Sequence, residues 1–480
     1  MSGQAALWTV AAMAAAMRAE LRGPAAGEIF GLSIDSRTIA TGEAYFAIKG
    51  DVHDGHAFVE AAIRNGARVA VVERAQAEKF AGDLPLLIVD DVLDGLRDLA
   101  RAARARLKGR VIAVTGSVGK TSTKEALRCV LSAQGMTHAS VASFNNHWGV
   151  PLSLARCPAA ADYAIFEIGM NHAGEIDPLV RMVRPHVAIV TTVEPVHLEF
   201  FGSVEAIADA KAEIFVGVEP GGAAVLNIDN PQFDRLAKSA TAAGVARIVS
   251  FGADARADAR LLDVALHPAC SAVHARILGQ EVTYKLGMPG RHMAMNSLAV
   301  LAAAMLADAD LARSALALSQ MQAPAGRGVR EMLGVVGGEA LMIDESYNAN
   351  PASMAAAISV LGQAATGPRG RRIAVLGDML ELGPTGPELH AGLAPVLQNH
   401  AIDLVFCCGP LMRSLWEALP SNLKGGYAGT SAALESELAN AVHAGDALMI
   451  KGSLGSKMKL IVEALRRRFP AADAAEDLAV

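Results

Sequence analysis

Short apolar runs alternate along this chain with stretches in which apolar positions recur at helical spacing, and that rhythm predicts an α/β protein. The run "VIAV" of "VIAVTGSVGKTSTKEAL" and the later "YAIFEIG", "HVAIVTTV", "AAVLNID" and "RIVSFG" read as strands of a mostly parallel sheet covered on both faces. "AVHARIL" and "VTYKLGM" alternate with period two and predict a hairpin, followed by a helix from Arg291 to Ala307. The proline- and glycine-rich "APAGRGV" predicts a hinge. Beyond it, "ALMIDES", "RRIAVLGD", "LVFCCG" and "ALMIKGS" alternate with helices again, which predicts a Rossmann-like doubly wound sheet. Ahead of Gly109, "AYFAIKG" and "RVAVVE" flank the helical "HAFVEAAIRNG", and a charged helical tract runs from Leu96 to Lys108. The expected division is a small mixed unit over 1–108, a central P-loop ATPase-like domain over 109–323 and a C-terminal domain over 324–480.

A length of 480 residues agrees with about three domains. The net charge of -6 argues against a general nucleic-acid binder. No apolar run is long enough to span a membrane; the nearest, Leu298 to Leu318, is broken by Asp308, Asp310 and Arg313. Met1 to Gln4 carry no basic residue, so the alanine-rich stretch after them reads as a first helix rather than a secretory signal. The five cysteines have neither metal-binding spacing nor an even number, which points to reduced thiols in a cytoplasmic protein. A monomer is the default expectation.

The chemistry concentrates around residue 116. A strand, a glycine turn and a helix in that order leave backbone N–H groups at the helix start free to hold phosphate. Gly116, Ser117, Val118, Gly119, Lys120, Thr121 and Ser122 form the cradle, with Lys120 reaching the outer phosphates and the Thr121 hydroxyl ligating magnesium. The loop is the short G-x-x-G-K-T, since the longer form needs glycine where Val114 stands. Glu167 is a charge inside an apolar strand and needs a cation, either magnesium or an ion-pair partner. His197 follows another strand end, at the edge where open sheets bind ligands, yet reads equally as a packed or surface histidine. On spacing alone Lys211 is an exposed helix lysine. Asn145 and Asn146 suit a turn or a ligand. "IDESYNANP" suits a helix cap or a polar ligand, and "KGSLGSKM" a second anion loop or a glycine turn.

Taken in order, "TGSVGKTST", "NNHWGVPLSL", "EIGMNHAGEI", "HLEFFGS", "GRHMAMNSLAV", "DESYNANP" and "LGDMLELG" resemble the Mur ligases, the ATP-dependent amide-forming enzymes of peptidoglycan precursor synthesis, over essentially the whole chain. Within that family the motifs are nearest to the branch that adds D-alanyl-D-alanine to a UDP-N-acetylmuramoyl-tripeptide. The resemblance implies ATP and two magnesium ions, held by Thr121, Glu167, His197 and a Lys211 that carries a carbamate. It implies that Asn296, Arg327 and Asp344 hold adenine and ribose, and that Asn146 orients phosphate or acyl groups. It further implies that "DSRT" and "KGDVHDGHAF" belong to a UDP-binding unit in which Ser36, Arg37, Lys49 and His56 meet the uridine nucleotide, with Asn145, Asn348 and Asn350 on substrate. The "DNPQ" at Asp229 to Gln232 lies in the central domain, away from the C-terminal position of the family's D-N-P-R motif.

Overall fold

The structure, a computed structural model, describes residues 5–50, 53–141, 143–196 and 198–470. Its centre is a nine-stranded sheet in the order Gln280–Leu286, Ser271–Ile277, Ala259–Leu266, Arg247–Gly252, Ala223–Asn227, Val187–Val190, Arg110–Thr115, Tyr163–Glu167 and Thr137–Ala139. Pairing is parallel from Thr137–Ala139 across to Ala259–Leu266 and antiparallel in the last two pairs. Alternation decides which side chain goes to which face. Ile112, Ile165 and Ile189 pack under helices Lys120–Ser132 and Arg291–Leu306. Ala113, Phe166 and Ala188 pack on the opposite side, under Ile176–Val183 and Val204–Ala212. Val187–Val190 is buried at every position, as a strand covered on both faces must be.

The C-terminal sheet runs Val329–Val335, Gly338–Glu345, Ala447–Lys451, Arg372–Gly377, Leu404–Cys408 and Lys424–Ala428, parallel except for its first pair. Separate apolar clusters fill its two faces. The predicted hinge is partly fixed: Gly328 N–H donates to the Asp344 carbonyl at 2.8 Å, and Tyr347 N–H to the Gly326 carbonyl at 3.1 Å.

The N-terminal sheet has five strands, ordered Glu20–Arg22, Leu86–Val89, Val69–Glu73, Glu43–Phe46 and Gly31–Ser33. It shares a core with the central domain. Trp8, Leu32, Phe46 and Leu99 belong to the same buried cluster as Val150, Leu154 and Phe166. The Trp8 indole N–H donates to the Ala155 carbonyl at 2.9 Å, and the Arg106 guanidinium sits 3.5 Å over the Trp8 ring. The helix at this seam is Val92–Arg106, starting earlier than predicted because the Asp91 carboxylate caps it by accepting the Asp94 N–H at 2.7 Å. Among the described residues no helix is long and apolar enough to cross a membrane, and the five cysteines are free thiols.

Candidate active site

Strand Arg110–Thr115 ends in the glycine turn, and helix Lys120–Ser132 begins there without a capping side chain, so its first N–H groups await a partner. Glycine is required at both ends of the turn. Gly116 has φ +147°, and a methyl there would overlap the Thr191 hydroxyl; Gly119 has φ +86°, and a methyl would lie 2.7 Å from the Asn296 amide nitrogen. The Lys120 ammonium folds back to donate to the Gly116 carbonyl at 2.6 Å. Burial lowers its pKa, with the Glu167 charge opposing and the Arg327 charge assisting.

Glu167 is 1% exposed at the end of strand Tyr163–Glu167. No lysine, arginine or histidine pairs with it among the described residues. Its carboxylate accepts the Thr121 hydroxyl at 2.9 Å and the Asn145 amide at 2.7 Å, which satisfies the buried charge with neutral donors. Gly169 leaves room for that amide, since a methyl there would approach Asn145 to 3.0 Å. Ser143 stands 3.4 Å from the Thr121 hydroxyl and accepts from Arg327 at 3.3 Å, joining the central domain to the C-terminal one. Among the described residues no three His, Cys, Asp or Glu side chains cluster at metal-binding distance. A carboxylate beside a hydroxyl nevertheless suits magnesium, which keeps waters and phosphate oxygens in most of its coordination sphere. His197, the other expected ligand, lies outside the described residues.

Lys211 departs from the expectation of an exposed helix lysine: it is 2% exposed, at the last turn of Val204–Ala212. The amphipathic pattern of this alanine-rich helix is weak, so sequence alone did not reveal its buried face. Burial, then the nearby Lys120 charge, holds the amine well below the ordinary lysine range.

Lys120, Thr121, Ser143, Asn145 and Glu167 open into a cavity of about 520 Å³ between the central and C-terminal sheets, whose lining does not include Lys211. Ser117 to Ser122, Asn145, Glu167, Asn296, Arg327, Asn348 and Asn350 line it, as the sequence reading expected of a shared site. Arg327 also lies 4.2 Å over the Tyr347 ring. Asn350 caps helix Pro351–Gly362 by accepting the Ser353 N–H at 2.9 Å, and Lys451 donates to the Asn348 carbonyl at 3.0 Å. Four expected residues, Gly116, Asn146, Lys211 and Asp344, are absent from the lining. Asn146 accepts the Gly149 N–H at 2.9 Å and serves as a helix start. Asp344 accepts the Ser346 N–H and hydroxyl at 3.0 and 2.6 Å. Its strand neighbour Glu345 faces the cavity instead, 3.2 Å from Lys451. Alternation along Gly338–Glu345 sends adjacent carboxylates to opposite faces, and that signal was available in "LMIDES".

Ser36, Arg37, Lys49 and His56 lie outside this cavity. The Ser36 carbonyl accepts from Asn65 at 2.9 Å. Arg37 is clamped by both oxygens of Asp35, at 2.9 and 2.7 Å, which lowers the Asp35 pKa to about 2. Lys49 is exposed and bridges backbone to Asp54. Both His56 nitrogens are engaged: Nε2 accepts the Glu73 N–H at 3.0 Å, and Nδ1 meets Asp54 at 2.6 Å. His56 therefore braces the domain and has no free ring nitrogen for a nucleotide.

A glycine cradle, a buried carboxylate with its hydroxyl and a second α/β domain closing the cavity make a phosphate-binding cleft between two domains, and the chain belongs to the Mur ligase family. Models of the Mur ligase family catalytic domain, the Mur ligase middle domain and the Mur ligase glutamate ligase domain match residues 28–104, 114–304 and 331–454. The chain is similar to the UDP-N-acetylmuramoyl-tripeptide–D-alanyl-D-alanine ligases of Escherichia coli, 33% identical over 91% of this chain and 93% of that protein, and of Bacillus subtilis, 32% identical over 91% and 93%. Its fold superposes on MurF from Acinetobacter baumannii with a TM-score of 0.82 at 29% identity, covering 96% of this chain and 99% of that one. The MurF ligase from Thermotoga maritima in complex with ADP gives 0.75 at 26% identity, covering 91% and 97%.

Proposed function

We propose that this protein joins D-alanyl-D-alanine to UDP-N-acetylmuramoyl-tripeptide at the expense of ATP, in the cytoplasmic stage of peptidoglycan synthesis. The observation that carries the reading is the interdomain cavity, in which the Lys120 cradle and the Thr121–Glu167 pair face Arg327, Glu345 and Lys451 of the C-terminal domain. The likeness to the tripeptide ligases over nine-tenths of the chain supports the choice of substrates. ATP phosphorylates the terminal carboxylate of the tripeptide, giving an acyl phosphate and ADP. The dipeptide amine then attacks the acyl carbon, and the tetrahedral intermediate expels phosphate to leave the amide. Lys120 and the helix N–H groups hold the phosphates and offset charge on the transferring group. Arg327 aligns the two domains across the bound nucleotide, and Glu345 accepts from the ribose hydroxyls.

Magnesium would be held by Thr121 and Glu167, with His197 and Lys211 at a second position, and supplies charge neutralisation at the phosphoryl oxygens. Lys211 suits a carbamate. Burial and the Lys120 charge favour the deprotonated form of this amine, whose lone pair adds carbon dioxide with release of a proton, and the resulting anionic ligand is attracted to Lys120 where an ammonium would be repelled. The N-terminal unit holds the UDP moiety. Incubation with ATP, magnesium, D-alanyl-D-alanine and UDP-muropeptides carrying diaminopimelate or lysine, with products weighed by mass spectrometry, tests the reading. A mass gain of one dipeptide with release of ADP is expected; ATP hydrolysis without amide formation would refute it.

A further inference from the structure

The cavity contains one cation that neither domain uses. Lys120 is bonded to the Gly116 carbonyl, Lys451 to Glu345, and Arg327 to Ser143 and the Tyr347 ring. Arg330 also lines the cavity, yet no hydrogen bond or ion pair is formed by its guanidinium among the described residues, and its Nη1 is buried without an acceptor. Arg330 is half-buried, and a guanidinium nitrogen shut off from water without an acceptor is costly in the empty protein and becomes favourable when a ligand covers it.

Its place along the strand identifies that ligand. Arg330 pairs with Ile343, and a methyl on Gly328, two residues earlier on the same face, would lie 3.3 Å from the Glu345 carboxylate. Two strand residues are about 7 Å. A nucleotide with phosphates on the Lys120 cradle and ribose at Glu345 would therefore carry its base past Glu345 to Arg330. The cavity lining also carries the apolar Met288, Met293 and Ile343, the last directly opposite Arg330 on the ladder. A planar guanidinium in an apolar slot stacks on an aromatic ring and donates in its plane.

We propose that Arg330 is the residue that stacks on the purine ring of the bound nucleotide, acting in nucleotide affinity rather than in phosphoryl transfer. The proposal rests on the reading of this cavity as an ATP site. Steady-state kinetics of full-length Arg330→Met, which keeps the stem and removes the planar cation, test it. KM for ATP should rise about tenfold with kcat changed less than about twofold, and KM for both other substrates should stay put. Adenosine should weaken as a competitive inhibitor by the same factor, while tripolyphosphate inhibits as in the wild type. Arg330→Lys should behave like Arg330→Met, because a point charge does not stack as a plane, and it serves as the probe if Arg330→Met fails to fold. An unchanged KM for ATP in a folded variant overturns the proposal, as does a loss confined to tripolyphosphate, which would put Arg330 on the phosphates. Absence of ATP-dependent ligation in the wild-type enzyme would instead overturn the functional reading.

Discussion

Replacing Lys211 separates a buried cation from a carbamate by both stability and turnover. The side chain is 2% exposed, and burial together with Lys120 depresses its pKa in the folded state below the unfolded value of about 10.4. Between those two values the unfolded chain binds a proton that the folded chain does not. Stability therefore rises with pH across that window, by at most about 1.4 kcal/mol per pH unit from this one group, and the deficit grows as pH falls toward the folded value. Lys211→Met fills similar volume without titrating, so urea melts of the variant between pH 7 and 9 should lose that share of the slope. Bicarbonate should stabilise the wild type, by trapping the folded amine as carbamate, and leave Lys211→Met untouched. In the ligation assay Lys211→Ala and Lys211→Arg should both lose most activity, and acetate should partly restore Lys211→Ala by occupying the vacated anionic position. Near wild-type turnover by Lys211→Arg, or a Lys211→Met variant that keeps the full pH slope, would refute the reasoning.

Three further outcomes follow from the geometry. Lys120→Ala should abolish amide formation while leaving the melting temperature within a few degrees, because its ammonium meets only the neighbouring loop carbonyls of Gly116 and Ser117; substantial ligation by the folded variant counts against its role at the phosphates. Gly116→Ala should cost about 2 kcal/mol or more in a denaturant melt and impair ATP binding, since φ +147° and the Thr191 hydroxyl leave no room for a methyl; a variant as stable as wild type would mean that the loop adapts freely. An isolated 1–108 fragment should lack a cooperative melt like that of the full chain, because Trp8, Leu96 and Leu99 lose the central-domain partners of their shared core; a sharp transition at the full-chain temperature would show that the two units are energetically separate.

The fold was legible because the hydrophobic rhythm matches strand and helix periods in both large sheets, and the glycine cradle because Gly116 and Gly119 sit between an apolar strand and a helix that lacks a capping side chain. What escaped depends on tertiary placement. Strand Val329–Val335 has polar and glycine positions at a sheet edge, so little apolar pattern marks it, and its start merges with the expected hinge. Lys211 is hidden in an alanine-rich helix whose buried face periodicity does not mark. Asn146 and His56 carry residue types that suit ligands, but backbone N–H groups claim them first: Gly149 for one and Glu73 for the other.

Asp344 and Glu345 show how one motif can send adjacent carboxylates to different places. Both carboxylates stand at the end of Gly338–Glu345, and composition cannot rank them. The pleat can: Ile343 and Glu345 share the face that lines the cavity, whereas Asp344 turns to the other face and spends its oxygens on Ser346, with Arg466 at 3.6 Å. The same pleat brings Arg330, opposite Ile343, onto the cavity side. One alternation thus sorts this edge of the C-terminal sheet into residues that hold the loop and residues that face the cavity, and the proposal that Glu345 meets the sugar and Arg330 the base rests on that order.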